Sequence, residues 1–144
     1  MLLADYKFLI IPTIAWATVQ LFKFITDTIK NKRVNFKRLV ETGGMPSSHS
    51  ATVTSLMTAI GLSEGFSSPI FAVSFVFSII VMYDAAGVRR AAGKQATILN
   101  QLINSKQVYV DTNEKLKELL GHTPFQVFVG AIYGIVLSII LMNI

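Results

Sequence analysis

The stretch Glu41-Thr42-Gly43-Gly44-Met45-Pro46-Ser47-Ser48-His49-Ser50-Ala51 decides how this chain reads. Gly43 and Gly44 let the backbone approach a ligand and take up conformations closed to other residues. Pro46 suits the first turn of a helix, where its missing N–H costs nothing. The amides that follow then aim free N–H groups, and the positive end of a helix dipole, into the loop. Ser47 and Ser48 add hydroxyls, and His49 adds a group that exchanges a proton near neutral pH. Together these residues suit an anion, most simply a phosphate. The plainer reading of the run alone is a capped helix start with a histidine on its surface.

Working outward, four apolar segments flank or contain this run: Phe8 to Ile25, Pro46 to Leu62, Pro69 to Tyr83 and Pro124 to Met142. Hydrophobic residues make up 52% and charged residues 15% of the 144-residue chain, and the mean hydropathy is +0.56. That balance fits a single membrane-embedded domain over residues 1–144 better than a soluble one. A full crossing takes roughly 20 apolar residues, so the second and third segments fall short. They are expected to be tilted, partly re-entrant or shielded by a partner chain. Non-helical backbone at membrane depth is tolerated only inside protein or along a wet cavity, which is the place for the Gly43–His49 loop. Asp5 and Lys7 precede the first apolar run and no small-residue cleavage site follows it, so it reads as a retained segment and not a cleaved signal peptide. With no cysteine and only His49 and His122, a disulfide framework, a thiolate metal site and a His-rich metal centre are excluded.

Eleven of the thirteen Lys and Arg residues fall in two connecting regions, Lys30–Arg38 and Arg89–Lys117. Four crossings place both on one side of the membrane, and the positive-inside rule makes that side cytoplasmic. The loop around Ser63-Glu64-Gly65-Phe66-Ser67-Ser68 has no basic residue, as an outward loop should. The net charge of +5 therefore reads as a face that attracts anionic headgroups. Nucleic acid is not the expected partner, because the basic residues flank hydrophobic spans and no aromatic-interleaved basic surface is present. Asp84 to Asn104 reads as an amphipathic helix with small residues for close packing. A second, charged helix from Thr112 to Leu120 folds back from it, with Thr112 as its cap and Gly121 at its end. The expected architecture is an all-α polytopic bundle of about four apolar helices plus a cytoplasmic amphipathic helical hairpin. Its short spans and small-residue faces suit a homodimer.

Two further constellations carry chemistry. In Tyr83-Asp84-Ala85-Ala86-Gly87-Val88-Arg89-Arg90, paired arginines at the inner end of an apolar segment suit bidentate phosphate recognition. They equally suit a positive-inside anchor that snorkels to the headgroups. Arg90 shares a helix face with Lys94, while Arg89 points about 100° away. In Gly121-His122-Thr123-Pro124-Phe125-Gln126-Val127-Phe128-Val129-Gly130, His122 sits just ahead of the last membrane segment. The topology brings all three constellations to one membrane face. Two imidazoles, guanidiniums and an anion loop around one cavity are the parts that phosphoryl transfer asks for.

Pro46-Ser47-Ser48-His49 resembles the Pro-Ser-Gly-His motif of the type 2 phosphatidic acid phosphatase superfamily, which includes vanadium-dependent haloperoxidases. His122 followed by Val127 and Gly130 resembles that superfamily's last motif. Through GGMPSSHSA, YDAAGVRRAAG and LGHTP the chain is similar over nearly its full length to the divergent branch, labelled acid phosphatase/vanadium-dependent haloperoxidase-related. The resemblance implies a membrane phosphatase that removes phosphate from a lipid, phosphatidylglycerophosphate among the candidates, with no metal and no cofactor. It implies His122 as the nucleophile that forms a phosphohistidine and His49 as the general acid. Ser47, Ser48, Gly44 and Arg89 or Arg90 would hold phosphate oxygens. For the basic residues of the first motif it leaves Lys23, Lys30, Lys37 and Arg38 open. Lys23 stands out because it is ionisable inside an apolar stretch.

Three features depart from the superfamily pattern. Ser48 replaces a glycine, 31 residues separate Arg90 from His122, and Gln126 stands where an acidic residue is expected. Gln126 can orient an imidazole but cannot balance its charge, a role left to Asp84 or to no residue. The competing reading is a non-catalytic membrane protein that binds lipid phosphates, or a scaffold, on a degenerate phosphatase fold. A metal-dependent site would need Asp84, Glu41 or Glu64, and Glu64 falls on the opposite face. A haloperoxidase is the least favoured of the readings.

Overall fold

A computed structural model describes residues 6–40, 43–104, 116 and 121–144. Helix α1 spans Lys7–Asn31, and a 3₁₀ turn at Phe36–Leu39 follows it. Helices α2 (Ser48–Glu64), α3 (Pro69–Ala86), α4 (Val88–Asn104) and α5 (Pro124–Met142) complete the described elements. The membrane bundle expected from the hydropathy is present. The second arm of the amphipathic hairpin, Thr112 to Leu120, lies outside the described residues except for Leu116.

Local chemistry sets the helix starts. Ser68 and Thr123 are N-caps, each followed by a proline in the first turn, and Thr123 forms a capping box with Gln126. At α2 the expectation shifts by two residues. Ser47, not Pro46, is the junction: its hydroxyl accepts the Ser50 N–H at 3.3 Å, and the helix begins at Ser48. Pro46 therefore belongs to the approach loop. In that loop Gly43 and Gly44 have φ of +95° and +80°, values that L side chains rarely adopt.

Among the described residues, three helices are long and apolar enough to cross a bilayer: α1, the run Pro69–Ile103 that joins α3 to α4, and α5. Helix α2 has 17 residues, about 25 Å of rise, and is rich in Ser and Thr. Its shortfall has a physical reason. It packs against α1, α3 and α5, and Ser50, Thr54, Ser55, Thr58 and Ala59 are all buried. Helices of the same chain shield it, so no partner copy is needed for that purpose.

The contacts of α2 are those of a membrane interior, where small residues let backbones approach and hydroxyls bridge helices. On α5, Gly130, Gly134 and Ser138 line the buried stripe. A methyl group at Gly130 would strike the Ser47 carbonyl, and one at Gly134 would strike the Ala51 carbonyl and the Thr54 hydroxyl. Thr54 Oγ1 donates to the Ala131 carbonyl at 3.1 Å, and Ser78 Oγ on α3 donates to the Val53 carbonyl at 3.1 Å. Tyr133 of α5 donates to Thr18 of α1 at 2.8 Å. The outward faces of α3 and α5, with Val73, Phe77, Ile80, Phe128 and Ile140, are exposed and apolar, as lipid contact requires.

The pairing fixes direction. Lys23, late in α1, meets Ser48 at the start of α2, while Lys7, early in α1, donates to Ser63 at its end. The ends of α1 and α3 and the starts of α2 and α5 therefore share one end of the bundle. That is the end carrying the basic turn after α1 and the Arg89–Arg90 pair.

Candidate active site

The site is assembled at that end from three elements. His49 enters on the first turn of α2, and His122 stands two residues ahead of α5. Their rings meet edge to face, with centroids 5.9 Å apart and planes at 65°. His122 is 2% exposed. Among the described residues, no hydrogen-bond partner at good geometry reaches either of its ring nitrogens or Nδ1 of His49. Buried polar atoms left unpaired cost free energy and call for an explanation. Two such imidazoles side by side suit a polar ligand between them.

What holds His122 there was not legible in its own motif. Its N–H donates to the Ala85 carbonyl at 2.9 Å. The preceding Gly121, with φ +82°, lies directly on the backbone of Arg89 and Arg90, so close that any β-carbon would collide with it. These two contacts span the 31-residue separation in sequence. The segment before them is tied in as well: the Asn100 amide donates to the Leu116 carbonyl at 2.9 Å and accepts the Leu116 N–H at 3.0 Å.

Burial pushes the His122 imidazole down from 6.5 to about 4, and the ammonium of Lys23 adds to the effect. Gln126 and the Gly44 backbone act the other way, and His49 adds to the lowering. His122 is thus a neutral imidazole near pH 7, as a nucleophile must be. The Oε1 of Gln126 is engaged elsewhere, accepting the Thr123 N–H at 3.0 Å in the capping box. Its clearest role is to start α5.

Of the four basic candidates, Lys23 reaches the site. It is 2% exposed, and its Nζ donates to Gln20 Oε1 at 3.2 Å and to Ser48 Oγ at 3.4 Å. Lys30 is exposed and lines, with Lys23, Thr26, Asp27 and Met45, a cleft of about 260 Å³. Lys37 is exposed on the 3₁₀ turn, and the Arg38 side chain lies outside the described part. Gln20 was not anticipated. It is 4% exposed and donates to the Leu39 carbonyl at 3.0 Å, fixing the turn against α1. Its signal was available, a polar residue one turn before Lys23 in an apolar run.

The two arginines diverge. Arg89 Nε donates to Asp84 Oδ2 at 2.8 Å, a half-exposed ion pair beside His49. Arg90 is exposed and contributes its backbone as the seat of Gly121. Ser47 and Ser48 are buried beneath the histidines. Among the described residues no three His, Asp or Glu side chains converge as a metal site requires. Glu64 lies at the far end of α2, and Glu41 is outside the described residues.

Comparison with known proteins identifies a family. Residues 4–137 match the family described as Divergent PAP2 family. A Bacillus subtilis (strain 168) protein described as uncharacterized membrane protein YuiD is 42% identical, with 85% of each chain covered. No solved structure matches the chain.

Proposed function

The chain belongs to the Divergent PAP2 family, which makes it a phosphatase-related membrane protein, and from that premise we propose that it is a metal-independent phosphatase of phosphorylated membrane lipids. The observation that carries this reading is the pair of imidazoles 5.9 Å apart beside the buried Lys23 ammonium.

In this reading a ring nitrogen of neutral His122 attacks phosphorus while the bond to the lipid oxygen breaks. His49 gives that oxygen its proton, a contribution of roughly 10²- to 10⁴-fold. Water then gives a proton to His49 and attacks the phosphohistidine. The P–N bond breaks, inorganic phosphate departs, and both imidazoles return to their starting states. Lys23, Arg89, the Ser47 and Ser48 hydroxyls and the Gly44 backbone hold the non-bridging oxygens as their charge redistributes. Support for a metal-free route comes from the carboxylates: Asp84 is paired with Arg89, and Glu64 is remote. The basic residues gathered at the site's end favour the cytoplasmic leaflet of the plasma membrane. Phosphatidylglycerophosphate is among the substrates that the family resemblance suggests, and a homodimer would pack outward apolar faces together.

Phosphate release from phosphatidylglycerophosphate and phosphatidic acid by protein in nanodiscs tests the proposal. His122→Ala should abolish release, vanadate should inhibit, and chelators should change nothing. Release by His122→Ala at near the wild-type rate would refute it. Gln126 supports a second reading, because its amide caps α5 and supplies no carboxylate to an imidazolium. A lipid-phosphate-binding or scaffold protein would bind phospholipid tightly and never turn it over.

A further inference from the structure

Helix α4 presents three different arcs at about 100° per residue. Gly93, Ala96 and Asn100 form a buried arc, and Arg89 falls on the same side, towards Asp84. On the opposite side Val88, Ile98, Leu99 and Leu102 are 64%, 58%, 48% and 43% exposed, with Ala91 and Gln95 between them. Arg90, Lys94 and Gln101 occupy the arc that separates the two.

Beyond its junction with α3, α4 packs on none of the other described helices, so the exposed apolar arc is not a seam of the bundle. Three observations identify what covers it. The helix has three cations, Arg89, Arg90 and Lys94, and no acidic residue, which complements an anionic lipid surface. It continues a membrane-spanning helix: Pro69–Ile103 is 35 residues long, about 52 Å if straight, against a hydrocarbon core of about 30 Å. The two parts are separated at Gly87, whose φ of −99° and ψ of −89° leave the helical region. Just before that break Tyr83 is 77% exposed, in the position of an interfacial aromatic.

We propose that α4 lies in the membrane–water interface, its Val88–Leu102 arc in the acyl boundary and Arg90 and Lys94 on the phosphates of anionic headgroups. Such a helix has a basic polar edge beside an apolar one. Arg90 and Arg89 then divide the work, the former reading the membrane surface and the latter standing near His49. The inference rests on membrane insertion and holds whether or not the protein turns over a lipid.

The chain has no cysteine, so single spin labels can be placed without background. Ile98→Cys, Leu102→Cys and Gln101→Cys would be labelled in full-length protein in phosphatidylcholine nanodiscs, with and without phosphatidylglycerol. Collision with oxygen relative to a water-soluble nickel chelate reports depth. The ratio should be several-fold higher at 98 and 102 than at 101, and phosphatidylglycerol should raise it at 98. Lys94→Gln should weaken that lipid response. Chelate-dominated collisions at all three positions would overturn the proposal, because α4 would then stand in water. So would spin–spin broadening at 98, which would put a second copy on the arc.

Discussion

Lys23 sits in a nearly sealed position, where Gln20 and Ser48 supply acceptors for its Nζ. Removing one partner of a buried polar cluster leaves the others unpaired, at a cost of about 1–3 kcal/mol. Lys23→Met should therefore keep its helical circular dichroism but melt at a lower temperature, because Gln20 Oε1 and Ser48 Oγ lose a donor. It should raise KM for a lipid monoester by one to two orders of magnitude as electrostatic binding is lost. Unchanged KM would remove Lys23 from the phosphate site. The sequence singled Lys23 out by its charge in an apolar run, but it could not rank it above Lys30 or Lys37, because burial depends on which helix lies opposite. For His122 the physics runs through pH. The folded imidazole titrates near 4 and the unfolded one near 6.5, so the unfolded chain takes up the proton first as pH falls. Stability is complete above about 6.5 and drains between there and about 4, by at most about 3 kcal/mol. Melting in detergent at pH 7 and pH 5 should show a smaller loss for His122→Gln than for wild type. Equal losses would contradict the assignment.

At the scale of elements, two junctions matter more than any single helix. The start of α2 presents Ser48 and His49 to the site, and the Gly121 turn delivers His122 by resting on the first residues of α4. Gly121→Ala meets two penalties, a φ of +82° and a collision with backbone, and backbone cannot give way as a flexible side chain does. The variant should retain its helical circular dichroism and lose most phosphate release, although it removes no reacting group; full activity would show that His122 is positioned by other means. Helix starts at Pro69 and Pro124 were readable because serine or threonine followed by proline is a local signal. Pro46 misled by two residues, since Ser47 takes the cap and its own backbone N–H goes to the Gln126 carbonyl on another helix. The docking of Gly121 on Arg89–Arg90 left no local trace in the sequence, being a contact between a turn and the first turn of a helix distant in the chain.

For the whole molecule, the four apolar segments and the placement of basic residues outlined the bundle in advance. What they could not show was which segment lies at the centre, because a short Ser- and Thr-rich helix reads the same whether it is tilted, re-entrant or enclosed. The packing of α2 inside α1, α3 and α5 settles that. The antiparallel order also predicts sidedness: Ser67→Cys and Asn35→Cys should react with a membrane-impermeant maleimide from opposite sides of intact cells, Ser67→Cys from outside. Labelling of both from one side would break the four-crossing arrangement. The caged α2 also bears on biogenesis. A segment so rich in hydroxyls has little reason to leave the translocon for lipid alone. Its walls on two sides, α3 and α5, are synthesised after it, so α2 must wait in a shielded place until they arrive. Assembly of this bundle is therefore bound to be late and concerted, with the Gly43–Ser47 loop closing only when the last helix slides home.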